Sequence, residues 1–114
     1  MLTIKQAKPY FAVIFTSKHA NDKDGYEKMA QEMELLAEKQ NGYLGIESAK
    51  NYDKTSSNFG VGITVSYWDS LEAIKNWKMN AEHLVAQQIG KEKWYEWYSI
   101  KICKVERAYN FNAK

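Results

Sequence analysis

The sequence predicts an α+β fold of the ferredoxin-like type, in which one face of a four-stranded antiparallel sheet is covered by helices. Two observations carry this prediction. Four segments are rich in β-branched and aromatic residues, two others repeat apolar residues every three or four positions, and their order is β-α-β-β-α-β. A length of 114 residues leaves room for a single domain, with a core expected from about residue 10 to residue 111.

The first strand is predicted at Tyr10–Ser17, directly after the chain's only proline. A helix is expected from near Gly25 to about Gln40, because apolar residues recur there at helical spacing. Its apolar stripe comprises Tyr26, Met29, Ala30, Met33, Leu36 and Ala37. The Asn41-Gly42 pair is typical of the left-handed turn that ends a helix.

The second and third strands are predicted at Tyr43–Ala49 and Phe59–Trp68, with a polar turn between them. The third strand alternates cleanly between large and small residues. One face carries Phe59, Val61, Ile63, Val65 and Tyr67, and the other carries the small residues Gly60, Gly62, Thr64 and Ser66, followed by Trp68. Small side chains leave room beneath a helix, either for a bound molecule or for close packing of the helix itself.

The second helical segment is predicted to open on a capping box formed by Asp69 and Glu72. Its inward residues are expected to be Leu71, Ile74 and Trp77. Asn80 is predicted to cap a short third helix that ends at Gly90, and a last strand is expected at Trp97–Glu106, with an earlier start at Tyr95 left open. One helical layer covers one face of a sheet, yet the first strand is apolar on both, so a homodimer is predicted.

Composition narrows the classes of function. The net charge is +2 and no basic stripe is present, which argues against nucleic acid as a partner. No apolar run approaches the roughly 20 residues that span a bilayer, so no membrane segment is expected. The single cysteine, Cys103, excludes an internal disulfide, suits the cytoplasm and is expected to be buried.

Several segments of the chain resemble the antibiotic biosynthesis monooxygenase (ABM) family. They are NGYLGIES at 41–48, VSYWDSLEAIKNWK at 65–78, and the stretch from HLVAQQIGKEKWY to VERAYNF at 83–111. The resemblance implies a dimeric α/β barrel with a pocket between sheet and helices in each subunit. It also implies oxygenation of a small aromatic or hydrophobic molecule by O2, with no metal or flavin, so no cofactor is expected.

A related branch of that family binds haem and degrades it, using an Asn in the first strand and a Trp and a His in the helical segment. In this chain Ala12–Phe15 occupy the strand position, Trp77 matches the Trp, and Gln87 stands where the His would be. Two alternatives therefore stay open beside the monooxygenase. One is a haem-binding or haem-degrading protein, and the other is a dimeric protein that binds a small molecule without catalysis.

His83 is the candidate catalytic residue. If Asn80 caps a helix, His83 lies in its first turn, where the helix dipole favours a neutral imidazole that can accept a proton. The alternative is a histidine that only ties the helix to a neighbour. Aromatic side chains with flat faces or hydroxyl groups are the candidate substrate-binding residues, although core packing or subunit contact would explain them equally: Trp68, Trp77, Tyr43, Tyr67 and Trp94. His19 is expected to be solvated, and no metal-ligand spacing is present.

Overall fold

The computed structural model describes residues 2–5, 8–19, 26–87 and 95–113. The predicted order β-α-β-β-α-β is confirmed. Its elements are β1 (Tyr10–His19), α1 (Tyr26–Glu38), β2 (Tyr43–Lys50), β3 (Val61–Trp68), α2 (Leu71–Gln87) and β4 (Tyr95–Val105). β3 begins two residues later than expected, so Phe59 and Gly60 lie in the turn before it.

The four strands form one antiparallel sheet in the order β2-β3-β1-β4, which places β1 and β3 at the centre. Directly paired residues share a face of an antiparallel sheet. Phe11 pairs with Trp68 and Val13 with Ser66 across β1 and β3, while Val13 also pairs with Ile102 of β4. These positions define one face, which we call the helix side.

The core lies on the helix side. Its buried residues are Val13 and Trp68 from the sheet, Ala37 from α1, and Ala73 and Ile74 from α2. Phe11, Tyr43 and Trp77 pack against this cluster. Leu71, which was expected to point inward, is 56% exposed because it sits at the first position of α2, outside the packed stripe.

Gly42 lies in the turn between α1 and β2 and packs against the start of α2. Its φ of 90° lies in the left-handed region, and its carbonyl accepts a hydrogen bond from the amide of Asp69 at 2.8 Å. A Cβ at this position would lie 2.5 Å from Oδ1 of Asp69 and 2.6 Å from Cβ of Ala73. Both the backbone conformation and the close approach therefore require glycine.

The start of α2 differs from the prediction. Oγ of Ser70 accepts a hydrogen bond from the amide of Ala73 at 3.1 Å, so Ser70 is the N-cap and the capping box assigned to Asp69 is wrong. Asn80 lies inside the same helix, where its Nδ2 donates to the carbonyl of Asn76 at 3.1 Å. No third helix begins at Asn80, and the predicted end at Gly90 lies outside the described residues.

Candidate functional site

Three of the predicted binding residues meet on the helix side. Trp68 is completely buried at the end of β3, and its Nε1 donates to Oγ of Ser66 at 2.9 Å. The ring of Trp77, from α2, lies 5.5 Å from the ring of Trp68, and the ring of Tyr43 meets Trp68 edge-on at 5.6 Å. We call Trp68 and Trp77 the tryptophan pair.

Nε1 of Trp77 is buried and has no hydrogen-bond partner, which sets it apart among the side chains that the structure describes. An indole N–H is only a donor, so nothing but an acceptor can satisfy it. Leaving a buried donor unpaired costs about 1–3 kcal/mol. An oxygen atom of a bound molecule is one acceptor that would remove this cost.

The β4 half of the helix side is open in the part of the chain that the structure describes. Ile100 pairs with Phe15 and Ile102 with Val13, so both isoleucines lie on the same face as the core. They are nevertheless 48% and 52% exposed, and Tyr98 on the same face is 60% exposed. We call Phe15, Tyr98, Ile100 and Ile102 the open strip.

The open strip is aromatic at one end. The ring of Phe15 lies 5.6 Å from the ring of Tyr98 and 5.5 Å from the ring of Tyr95. The two tyrosine rings are 5.8 Å apart, so the three rings form one cluster. Flat apolar walls of this kind suit a planar hydrophobic ligand.

Sequence reasoning did not assign the open strip to a site. The alternation of β4 already grouped Tyr98, Ile100 and Ile102 on one face, but alternation alone does not say which face the helices cover. The register of β4 against β1 supplies that information.

Tyr67 lies away from the other predicted residues. Its neighbour along β3, Trp68, faces the helices, so Tyr67 faces the opposite side of the sheet. Its hydroxyl donates to Oε1 of Glu47 at 2.9 Å, and its ring meets Tyr10 edge-on at 5.9 Å. Burial, with the hydrogen bond to Glu47, the charge of Glu47 and Tyr10 adding to it, raises the pKa of Tyr67 to about 12.

Tyr43 also keeps its proton at neutral pH. Burial raises the pKa of Tyr43 above 10.0, and the carboxylates of Glu38 and Glu34 raise it further. Both tyrosines are thus hydrogen-bond donors and not bases near pH 7.

The two remaining predicted residues are only partly accounted for. His83 belongs to α2, but its side chain lies outside the description, and Trp94 lies outside the described residues altogether. Because α2 runs unbroken through Asn80, His83 is not in a first helical turn, and the helix-dipole argument for a neutral imidazole is wrong. Its catalytic role stays a prediction.

The structure also has a cavity away from these residues. A cavity of about 150 Å³, lined by Ile4, Pro9, Tyr10, Val105, Arg107 and Ala108 among others, contains none of the predicted binding residues.

Cys103 is exposed on β4, so its predicted burial is wrong. Within the described ranges, no group of His, Cys, Asp and Glu side chains is arranged to hold a metal ion. None of the helices described is both long and apolar enough to cross a membrane.

A search for proteins of similar sequence gives a relative that covers most of the chain. No family model matches the chain. The uncharacterized protein YqjZ of Bacillus subtilis is 44% identical over 99 residues, which cover 87% of this chain and 82% of YqjZ.

Solved structures of the same fold are more distant in sequence. SnoaB, a cofactor-independent oxygenase from Streptomyces nogalater, superposes with a TM-score of 0.59 at 11% identity, over 95% of this chain and 100% of SnoaB. A mutant of MhuD with two manganese protoporphyrin IX molecules bound per active site gives a TM-score of 0.60 at 13% identity, over 90% and 99% of the two chains. The predicted ferredoxin-like fold is therefore confirmed. The resemblance to ABM-like proteins is confirmed at the level of the fold that these structures share.

Proposed function

The chain belongs to the family of the uncharacterized Bacillus subtilis protein YqjZ, and from the fold that it shares with SnoaB we propose that it is an oxygenase that uses O2 without a cofactor. Its substrate is a small aromatic or hydrophobic molecule. The observation that carries the proposal is the open strip, an apolar wall on the same face of the sheet as the tryptophan pair with its buried, unpaired donor. Such a surface suits a flat ring that carries one acceptor oxygen.

The proposed binding mode follows from these groups. The ring of the substrate packs on Phe15, Ile100 and Ile102, which removes apolar surface from water. A carbonyl or phenolic oxygen of the substrate accepts the hydrogen bond from Nε1 of Trp77. Tyr43 adds a neutral hydroxyl on the same side of the sheet.

The proposed reaction needs no external reductant. A base removes a proton from an acidic CH2 group of the substrate, and the carbanion transfers one electron to O2. The two radicals combine into a peroxide, and loss of water then leaves a carbonyl group. One CH2 and one O2 thus give one C=O and one H2O, so atoms and electrons balance.

His83 is the proposed base, because the high pKa values of Tyr43 and Tyr67 leave both hydroxyls protonated at neutral pH. The test is O2 uptake with anthrone, a flat three-ring ketone whose CH2 group is acidic. We expect His83→Ala to lower kcat about a hundredfold or more, because general-base contributions are typically about 10²–10⁴-fold. The matched control, His19→Ala, removes the other histidine and should leave kcat unchanged.

Two results would contradict parts of this proposal. Equal rates for wild type and His83→Ala would remove His83 from the mechanism. Anthrone that binds, by fluorescence quenching of the tryptophans, without any O2 uptake above the buffer rate would favour the non-catalytic binding protein.

Haem is the competing flat ligand, and the donor set fits it poorly. The β1 residues on the helix side are Phe11, Val13, Phe15 and Ser17, and the first three have no nitrogen or oxygen in their side chains. Gln87 also stands where the haem-degrading branch has a histidine. Titration with haem settles the point, since a Soret shift at micromolar protein would favour this alternative.

We further propose that the protein is a cytoplasmic homodimer. The sheet face opposite the helices carries Ile63 and Trp97, which are 45% and 44% exposed, and a second copy would cover them. A reducing compartment would keep the exposed thiol of Cys103 free. Sedimentation at twice 13.3 kDa is expected, and a species of 13.3 kDa at micromolar concentration would contradict the dimer.

A further inference from the structure

A row of four paired residues, one from each strand, crosses the helix side of the sheet. Tyr43 of β2 pairs with Trp68 of β3, and Trp68 pairs with Phe11 of β1. Phe11 pairs in turn with Lys104 of β4. Because directly paired residues share a face, all four side chains lie on the helix side. We call these residues the cross-strand row.

Lys104 lies at the end of the open strip. It follows Ile102 by two residues in β4, so the two side chains share a face and their Cα atoms are about 7 Å apart. Ile100 and Ile102 are 48% and 52% exposed, and Lys104 is exposed as well. The apolar wall therefore ends in an ammonium group.

The ammonium group of Lys104 has no ion-pair partner among the residues that the structure describes. The other lysine in the middle of β4 differs in both respects. Lys101 pairs with Ile14, which places it on the face opposite the helices, and its Nζ donates to Oγ of Ser99 at 3.2 Å. An unpaired ammonium beside an apolar wall can attract an anionic group on a molecule that packs against that wall.

The other end of the cross-strand row is acidic. Burial raises the pKa of Tyr43, and the carboxylates of Glu38 and Glu34 on α1 raise it further, so their negative charge acts on the tyrosine hydroxyl. Tyr43 and Lys104 are three strand spacings apart, or about 14 Å. The helix side is therefore negative near its β2 edge and positive near its β4 edge.

We propose that Lys104 determines specificity by pairing with a carboxylate on the flat ring of the substrate, so that the site takes aromatic carboxylates. This inference rests on the proposed function, since it names the class of molecule that the open strip binds. The ring packs on Ile100 and Ile102 while its carboxylate lies towards Lys104. The acidic end of the cross-strand row disfavours the reverse orientation, because like charges repel.

Two ligands that do not react with O2 test the choice of a carboxylate by isothermal titration calorimetry. 2-Naphthoate is an anion at pH 7, whereas 2-naphthamide has the same rings and a neutral group of similar size. We expect the wild type to bind 2-naphthoate about fivefold more tightly, which corresponds to the roughly 1 kcal/mol of a good exposed ion pair. High salt should reduce this difference, because it screens exposed charges.

Matched lysine variants test the residue. Lys104→Gln removes the charge and keeps a polar side chain, so we expect it to weaken 2-naphthoate alone and to bind the two ligands equally. The control Lys101→Gln removes the same charge from the same strand on the opposite face, and the fivefold preference should remain. Lys104→Glu should reverse the preference in favour of 2-naphthamide. Circular dichroism verifies that all three variants fold.

The outcomes separate this proposal from the proposed function. Equal affinity of the wild type for the two ligands, or an unchanged preference in Lys104→Gln, overturns the role of Lys104 and leaves the open strip as a binding site. An equal loss in Lys101→Gln overturns it as well, because net charge alone would then explain the preference. Binding of neither ligand overturns both this inference and the proposed binding mode, whereas the O2-uptake assay judges the oxygenase reaction separately.

Discussion

Trp77 packs against Trp68 with 5.5 Å between ring centroids, and the two indoles differ in their hydrogen bonds. Nε1 of Trp68 donates to Oγ of Ser66 at 2.9 Å, whereas the buried Nε1 of Trp77 has no acceptor. Two neighbouring side chains of the same type thus contribute differently: Trp68 stabilises the fold, while Trp77 retains a donor that it does not use for stability.

Substitution by phenylalanine should separate the two roles. Trp68→Phe loses the hydrogen bond to Ser66 and leaves a cavity, so we expect the free energy of unfolding to fall by about 2–3 kcal/mol. Trp77→Phe removes an unpaired donor along with some packing, and its cost should stay below about 1 kcal/mol. Urea unfolding measures both values. Equal costs would mean that Nε1 of Trp77 has an acceptor in solution.

Gly42 should tolerate alanine much less well than Gly60. Both glycines have positive φ, 90° and 85°, but a Cβ on Gly60 would meet nothing within 4 Å. We expect Gly60→Ala to cost about 1–2 kcal/mol from backbone strain alone, and Gly42→Ala about 3 kcal/mol or more because it also collides with Asp69 and Ala73. Thermal unfolding of the two variants checks this order, which similar melting temperatures would refute.

The N-cap of α2 can be verified by comparing two alanine variants. Ser70→Ala removes the acceptor for the amide of Ala73 and should cost about 1 kcal/mol. Asn80→Ala lies inside the helix, where alanine is the better helix former, so its loss of an exposed hydrogen bond to Gln40 should be largely offset and the change should stay within about 0.5 kcal/mol. Denaturant unfolding would show the reverse order if Asn80 were a cap.

Stability should depend on pH through Tyr67 in alkaline solution. The pKa of Tyr67 is about 12 in the folded chain and near 10 when unfolded. Between these values the unfolded chain loses a proton that the folded chain keeps, so stability that is fully present below pH 10 is lost as the pH rises towards 12. Unfolding curves should fall more steeply with pH for wild type than for Tyr67→Phe. Parallel curves would show that Tyr67 ionises normally.

Local sequence patterns predicted the fold because the spacing of apolar residues within each segment indicates whether it is a strand or a helix. Alternation along β3 and the helical stripe of α1 need no information from the rest of the chain. The predictions of the helix caps were wrong because the position of a cap depends on contacts with distant parts of the chain. Asp69, Ser70 and Asn80 all carry oxygen atoms suited to a cap, and only the packing of Ala73 and Ile74 against the sheet decides that one continuous helix begins after Ser70.

The candidate site was harder to predict because it depends on register. Tyr67 and Trp68 are consecutive in a strand, so the period-two rule already places them on opposite faces of the sheet, although both were candidate binding residues. The sequence alone did not show which face of the sheet Ile100 and Ile102 share with the core. That face follows from their pairing with Phe15 and Val13 in a distant part of the chain.

The sheet order also has a consequence for synthesis of the chain. β1 is made early, yet its two neighbours, β3 and β4, begin only at Val61 and Tyr95. At a translation rate of roughly 5–20 residues per second, an apolar segment such as Phe11–Phe15 waits on the order of 4–15 s on the ribosome before its second neighbour emerges. We therefore expect β1 to lack its second neighbour during synthesis until β4 has been made.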